Sequence, residues 1–142
     1  MSARSTGPAS AIDWAALRAA ALAGADHSYS PYSHFSVGAA ALIDDGRVVV
    51  GANIENASYG VTMCAENTMV AAYRMGGPGR IVAVAVVGNG QPITPCGRCR
   101  QLLWEFGGAN CLVDVAGRPT PLGELLPHAF PDSSPFGQDQ HP

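Results

Sequence analysis

The chain has 142 residues, 47% of them hydrophobic and only 13% charged; eight Arg, no Lys and eleven acidic residues give a formal net charge of −3. That is enough chain for one domain with its own core, and it lacks the basic stripe that nucleic-acid binding requires. No apolar run approaches the roughly 20 residues of a membrane span.

Residues 1–11 show no periodicity and are expected to be mobile, as is the Pro-, Ser- and Gln-rich stretch Pro131–Pro142, which carries no core to join. Met1–Ser10 has no apolar h-region, so no secretory leader is expected. A cytoplasmic protein with reduced cysteines is the expectation. A helix is predicted over Ile12–Asp26, with Trp14, Leu17 and Ala21 on one face, Ser10 as cap and Asp13 in the first turn. Ser28–Ser33 is a loop. Phe35–Ile43 reads as a strand whose small residues Gly38, Ala39, Ala40 and Ala41 imply a close neighbour. Asp45-Gly46 is a hairpin turn, and Arg47–Asn53 is the returning strand.

After a polar connection over Ile54–Met63, Cys64–Met75 suits a helix stopped by Gly76-Gly77. Ile81–Val87 is seven consecutive apolar residues, the mark of a strand buried on both faces. A second helix runs from near Cys96 to Phe106, Cys111–Val115 is a short strand, and Thr120-Pro121 starts a short helix to Leu126. This order predicts a single α/β domain over 1–142, a three-layer α/β/α sandwich with a mixed central sheet and one antiparallel edge. The low surface charge implies contacts between subunits.

The chemistry lies in Cys64-Ala65-Glu66 and Pro95-Cys96-Gly97-Arg98-Cys99-Arg100-Gln101. Cys96 and Cys99 stand at i and i+3 on the first turn of a helix, so both sulfurs face one point. Cys64 opens the other helix. Three thiolates satisfy three positions of tetrahedral Zn²⁺ and leave the fourth for water, the pattern of a catalytic rather than a structural centre. Two helix N-termini offset the anionic charge and lower the thiol pKa values. Glu66 is placed to take a proton from an activated water and pass it on, help worth about 10²–10⁴-fold. The Cys-x-Glu and Pro-Cys-x-x-Cys pair also fits the zinc deaminase signature.

Blander readings stand beside these. The site is structural if a fourth ligand exists. Cys111 reads as a small hydrophobe in an apolar strand, and His27, His34, His128 and His141 have no ligand spacing to the cysteines. Phe35 alone reads as core, Asn53 as a strand-end turn residue, Glu55 as solvated and Phe130 as a C-terminal anchor.

From about Tyr29 to Phe130 the chain resembles the homotetrameric, zinc-dependent cytidine deaminases. The likeness is carried by Tyr32–Ala40, Asn53–Tyr59, Cys64-Ala65-Glu66, Pro95–Gln101 and Leu125–Phe130. It implies one Zn²⁺ per subunit on Cys64, Cys96 and Cys99, with Glu66 as catalytic proton shuttle. It further implies that Phe35 lies on the pyrimidine, Asn53 and Glu55 bind the ribose 3′-hydroxyl, and the Ala65 backbone reads the base. Ala57 and Tyr59 would come from one neighbouring subunit and Phe130 from another. The implied reaction is hydrolysis of cytidine and 2′-deoxycytidine to uridine and 2′-deoxyuridine plus ammonia, by zinc-activated water attack at C4, in pyrimidine salvage. The partners expected are a small nucleoside and three further copies of the chain, with no nucleic acid and no membrane.

One position departs from the family. The residue after the glutamate is often Arg there, tempering the thiolate charge, and here it is Asn67. Arg98 and Arg100 are the candidates to replace it. An aminonucleoside-antibiotic deaminase of the blasticidin type shares the cysteine motifs, but Asn53-Ile54-Glu55-Asn56 favours a nucleoside. A polynucleotide deaminase fits poorly on charge and length, and a non-catalytic zinc-stabilised binding module is the reading from another class.

Overall fold

The computed structural model describes residues 12–132 and 134–135. In chain order the elements are α1 (Trp14–Gly24), β1 (Val37–Ile43), β2 (Val48–Ala52), α2 (Ala65–Met75), β3 (Ile81–Gly88), β4 (Gln91–Pro92), α3 (Gly97–Gly107), β5 (Leu112–Val115), β6 (Arg118–Pro121) and α4 (Leu122–Leu125). The strands form one mixed sheet in the order β2-β1-β3-β5-β6, with β4 folded back on β3. Among these strands β3 and β5 alone pair in parallel. Both edges are therefore antiparallel, where one was expected, because β6 returns along β5 as a second hairpin edge.

Period-two alternation sorts the side chains between two layers. Ala40, Ala83, Ala85 and Val87 meet Leu17 and Ala21 of α1 on one face. Ala39, Ala41, Ile43, Val84 and Val86 meet Met69, Val70 and Tyr73 of α2 and Leu103 and Trp104 of α3 on the other. The small residues of β1 have the close neighbour they implied: a Cβ on Gly38 would stand 1.9 Å from Ala21 O. The same device sits under α2, where a Cβ on Gly51 would stand 2.3 Å from Met69 N.

Several boundaries differ from expectation. Asp13 is the cap of α1, its carboxylate accepting from Ala16 N at 3.0 Å; Ser10 lies outside the described residues. Thr120 belongs to β6, and Pro121 is the cap of α4 rather than its first residue. Pro131 and Ser134, within the stretch expected to be mobile, do join the body. Pro131 O accepts from Trp104 Nε1 at 2.9 Å, and Ser134, 1% exposed, donates to Glu105 O at 2.9 Å. One side-chain donor of α3 on a carbonyl of the segment, and one side-chain donor of the segment on a carbonyl of α3, anchor residues that have no apolar periodicity. Residues 1–11 and 136–142, expected to be mobile, lie outside the described set.

The topology explains where a site can form. Because β1 is antiparallel to both neighbours, β2 and β3 run the same way. Helix α2 follows β2 and α3 follows β3 and its β4 flap, and both lie on the same face. Their N-termini meet at the carboxyl ends of those strands, where open α/β sheets place ligands.

Candidate active site

Both helices begin one residue after a cysteine. Cys64 is the cap of α2 and Cys96 the cap of α3, each with extended backbone (ψ 159° and 170°). Cys99 is the third helical residue of α3, and Glu66 the second of α2. The donor atoms of Cys64, Glu66 and Cys99 all lie within 4.8 Å of one another. The Cys96 thiol stands outside that set, more exposed than its partners. It nevertheless contacts the Cys99 thiol and is held below its usual pKa mainly by the Cys99 N–H, against burial, with help from the Arg98 N–H.

Charge in the cluster is unbalanced. Glu66 is 5% exposed; burial raises its pKa, against its own backbone N–H and the Cys99 thiol. Cys99 is raised by burial and then by the negative charges of Glu66, Cys64 and Cys96. Arg100 does not relieve this: its Nε donates to Pro95 O at 2.8 Å and its Nη1 to Leu125 O at 2.9 Å. Arg98 is exposed. Three thiols and a carboxyl, packed at two helix N-termini without a cationic side chain paired to them among the described residues, are the donor chemistry that a soft-to-borderline cation such as Zn²⁺ satisfies.

The loop that carries Phe35 lies against the carboxyl end of β3. The Phe35 ring is 40% exposed and rests on Gly88, where a Cβ would meet it at 2.7 Å. Asn53, 9% exposed, accepts at Oδ1 from Ser28 Oγ (2.5 Å) and Val37 N (3.0 Å), and donates from Nδ2 to Phe35 O at 2.8 Å. Glu55 accepts from Tyr32 N (2.9 Å) and Ser33 N (3.1 Å) through one oxygen and from Ser33 Oγ through the other. Ser33 Oγ in turn accepts from Phe35 N at 3.0 Å. Asn53 and Glu55 thus grip both sides of Phe35.

Ala65 is buried at the start of α2, whereas Ala57, Tyr59 (77% exposed) and Phe130 (80% exposed) lie on the surface of the single chain. Tyr59 meets Tyr32 edge-on with 6.1 Å between ring centroids. Phe130 is placed by α3, whose Gln101 Nε2 donates to Phe130 O. Sequence reasoning missed three supports. Ser33 ties Glu55 to Phe35, Arg100 ties Pro95, the residue before the α3 cap, to α4, and Thr68 pins α2 to β2 by accepting from Ala52 N (2.9 Å) and donating to Ala52 O (2.8 Å). The short Ser-to-Glu and Thr-to-strand distances arise only on folding, so no local pattern marks them.

The family described as cytidine and deoxycytidylate deaminase zinc-binding region matches residues 13–114. A curated cytidine deaminase of Mycobacterium tuberculosis is 55% identical over 120 residues, covering 84% of this chain and 90% of that one. The crystal structure of cytidine deaminase from Mycobacterium tuberculosis superposes with a TM-score of 0.82 at 54% identity, covering 84% of this chain and 98% of its own. That of cytidine deaminase from Burkholderia pseudomallei gives 0.77 at 43% identity, covering 84% and 100%. The matched span contains both helix-capping cysteines and the carboxyl between them, and the chain belongs to the zinc-binding cytidine deaminase family.

Proposed function

We propose that this protein hydrolyses cytidine and 2′-deoxycytidine to uridine and 2′-deoxyuridine with release of ammonia. The observation that carries the reading is the buried Cys64–Glu66–Cys99 cluster at two converging helix N-termini, in a chain 55% identical to a cytidine deaminase. Cys64, Cys96 and Cys99 would hold Zn²⁺, whose chemistry is to make a water nucleophilic near neutral pH. Glu66 carries the protons. Its burial raises its pKa, so it is poised to accept a proton and return it to the ring nitrogen and the departing amine.

Phe35 packs on the pyrimidine, with its half-exposed face as the platform. The buried Ala65 opens α2 next to Glu66, and its backbone reads the base. Asn53 has one Nδ2 hydrogen left after Phe35 O is served, and it donates that hydrogen to the ribose 3′-hydroxyl. Glu55 accepts from the same hydroxyl while holding the loop. Ala57 and Tyr59 from one neighbour and Phe130 from another complete the pocket in a homotetramer; the exposure of Tyr59 and Phe130 in the lone chain supports this. Salvage of pyrimidine nucleosides in the cytoplasm is the setting that fits this reaction. Among the described residues no helix is long and apolar enough to cross a membrane.

The test is the ultraviolet shift from cytidine to uridine with purified, zinc-loaded protein. Glu66→Gln should fold, retain zinc and lose about 10²–10⁴-fold in kcat. Retention of most of the turnover would remove Glu66 from the reaction. A wild-type protein inert toward both nucleosides would remove the function.

A further inference from the structure

The position after Glu66 carries a neutral side chain, and the structure shows what that side chain does. Asn67 is the third residue of α2, three beyond its cap Cys64. Its Oδ1 accepts from Cys64 N at 3.3 Å. Its own N–H, which lies 3.0 Å from Cys64 O, also reaches the Cys64 sulfur. This is a reciprocal capping box in which a thiol stands where Ser or Thr usually does and Asn replaces the usual Glu or Gln. The two residues fix each other: the Asn67 amide oxygen holds the Cys64 N–H, and the Asn67 N–H holds the Cys64 carbonyl beside the sulfur.

We propose that Asn67 is a positioning residue for the metal ligand Cys64, acting through its side-chain oxygen on the Cys64 main chain rather than through charge. The inference rests on the zinc reading above and adds to it. A thiolate on a metal keeps lone pairs free to accept N–H bonds, so the box survives metal binding. Cys64 is only half-buried and sits at the end of the polar connection over residues 54–63. Without the Asn67 oxygen its N–H loses its partner, and the residue preceding the helix is free to fray. Partners that orient a ligand without touching the metal are commonly worth about 10–100-fold in metal affinity.

The charge on the side chain and its ability to accept a hydrogen bond are separable by substitution. Alanine removes the acceptor and adds no charge. Arginine removes the acceptor and adds a positive charge beside the sulfurs. Glutamine keeps a neutral acceptor with an arm long enough to reach back to the cap.

The experiment follows zinc release from the four zinc-loaded proteins into excess 4-(2-pyridylazo)resorcinol, with no nucleoside present. Apo-protein melting temperatures are measured alongside, so that loss of helix stability is read separately. Asn67→Ala and Asn67→Arg should both release zinc about 10–100-fold faster than wild type, with Asn67→Gln within about threefold of wild type. In the Co²⁺-substituted proteins the thiolate-to-metal absorption band should shift for Ala and Arg and not for Gln. Wild-type release rates in Asn67→Ala overturn the proposal. So does an Asn67→Arg protein that holds zinc as well as wild type, since charge would then be the operative property. Should Asn67→Ala not fold, the Arg and Gln pair decides between the two. A wild-type protein that binds no zinc would instead sink the functional reading.

Discussion

Replacing Gly51 with Ala tests whether the seat of α2 on the sheet sets the active site. Gly51 lies in β2 beneath the first turns of α2. A Cβ there would stand 2.3 Å from Met69 N, 2.4 Å from Ala65 O and 2.5 Å from Thr68 Oγ1. Two of these three atoms are helix backbone, which cannot rotate away. Ordinary contact begins at 3.4 Å, so α2 must retreat by about 1 Å, stretching both Thr68 bonds to Ala52. Overpacking of this kind costs about 1–3 kcal/mol, and removing glycine from a strand returns about 0.5–1 kcal/mol. A net loss of about 1 kcal/mol lowers Tm by roughly 3–4 °C in a domain of this length. Cys64 and Glu66 travel with the helix, and a 1 Å misplacement of reacting groups costs about 10²-fold in rate. The assay is thermal unfolding together with kcat/KM for cytidine. Gly97→Ala, whose Cβ meets nothing within 4 Å, serves as the control for stability. Wild-type Tm and wild-type kcat/KM in Gly51→Ala would refute the argument that close approach at this residue positions the site.

Two further outcomes follow from polar contacts away from the metal cluster. Asp114 is 1% exposed in β5 and, among the described residues, its side chain is paired from α1, by Arg18 Nε at 2.6 Å and Nη2 at 3.3 Å. Arg18→Met leaves that carboxylate buried and unpaired and should cost about 3 kcal/mol, near the low end for such a loss because the Arg18 side chain is 31% exposed. A loss below about 1 kcal/mol in urea unfolding would show that Asp114 finds another partner. The Glu55 carboxyl is held below its usual pKa, about 4.5, chiefly by the Ser33 hydroxyl, against desolvation and with the Ser33 and Tyr32 N–H groups assisting. A depressed folded pKa means that its stabilising effect is complete above about 4.5 and disappears as pH falls through the lower folded value. Urea stability of the wild type should therefore decline more steeply than that of Glu55→Gln as pH drops below about 4.5. Parallel declines would dissolve the link between Glu55 and its loop.

The parts of the fold visible in the sequence were those with a local signature. The apolar run over Ile81–Val87 became β3, buried on both faces. Asp45-Gly46 turned the hairpin with Gly46 at φ 95°, and the run of glycines after Met75 ended α2. The cysteine and glutamate spacing anticipated the meeting of Cys64, Glu66 and Cys99, with Cys96 beside rather than within that group. Strand β6 escaped notice because Pro119 and Pro121 argue against a strand, yet β6 is an edge, where a missing N–H can face away from the sheet. The grip of Asn53 and Glu55 on the Phe35 loop was equally hidden. Residues 18 to 25 positions apart meet there through polar contacts alone, which leave no periodic trace.

The end of α4 and the strap beyond it are held by polar contacts to main-chain carbonyls. Arg100 holds Leu125 O, Gln101 holds Phe130 O and Trp104 holds Pro131 O. Since carbonyl acceptors are common to every residue type, the information that fastens this segment resides in three side chains of another element. Neutral drift in evolution should therefore be freer at Pro127 and His128 than at Arg100, Gln101 and Trp104. A library randomised separately at each set, sorted for folded protein, would expose that asymmetry or its absence.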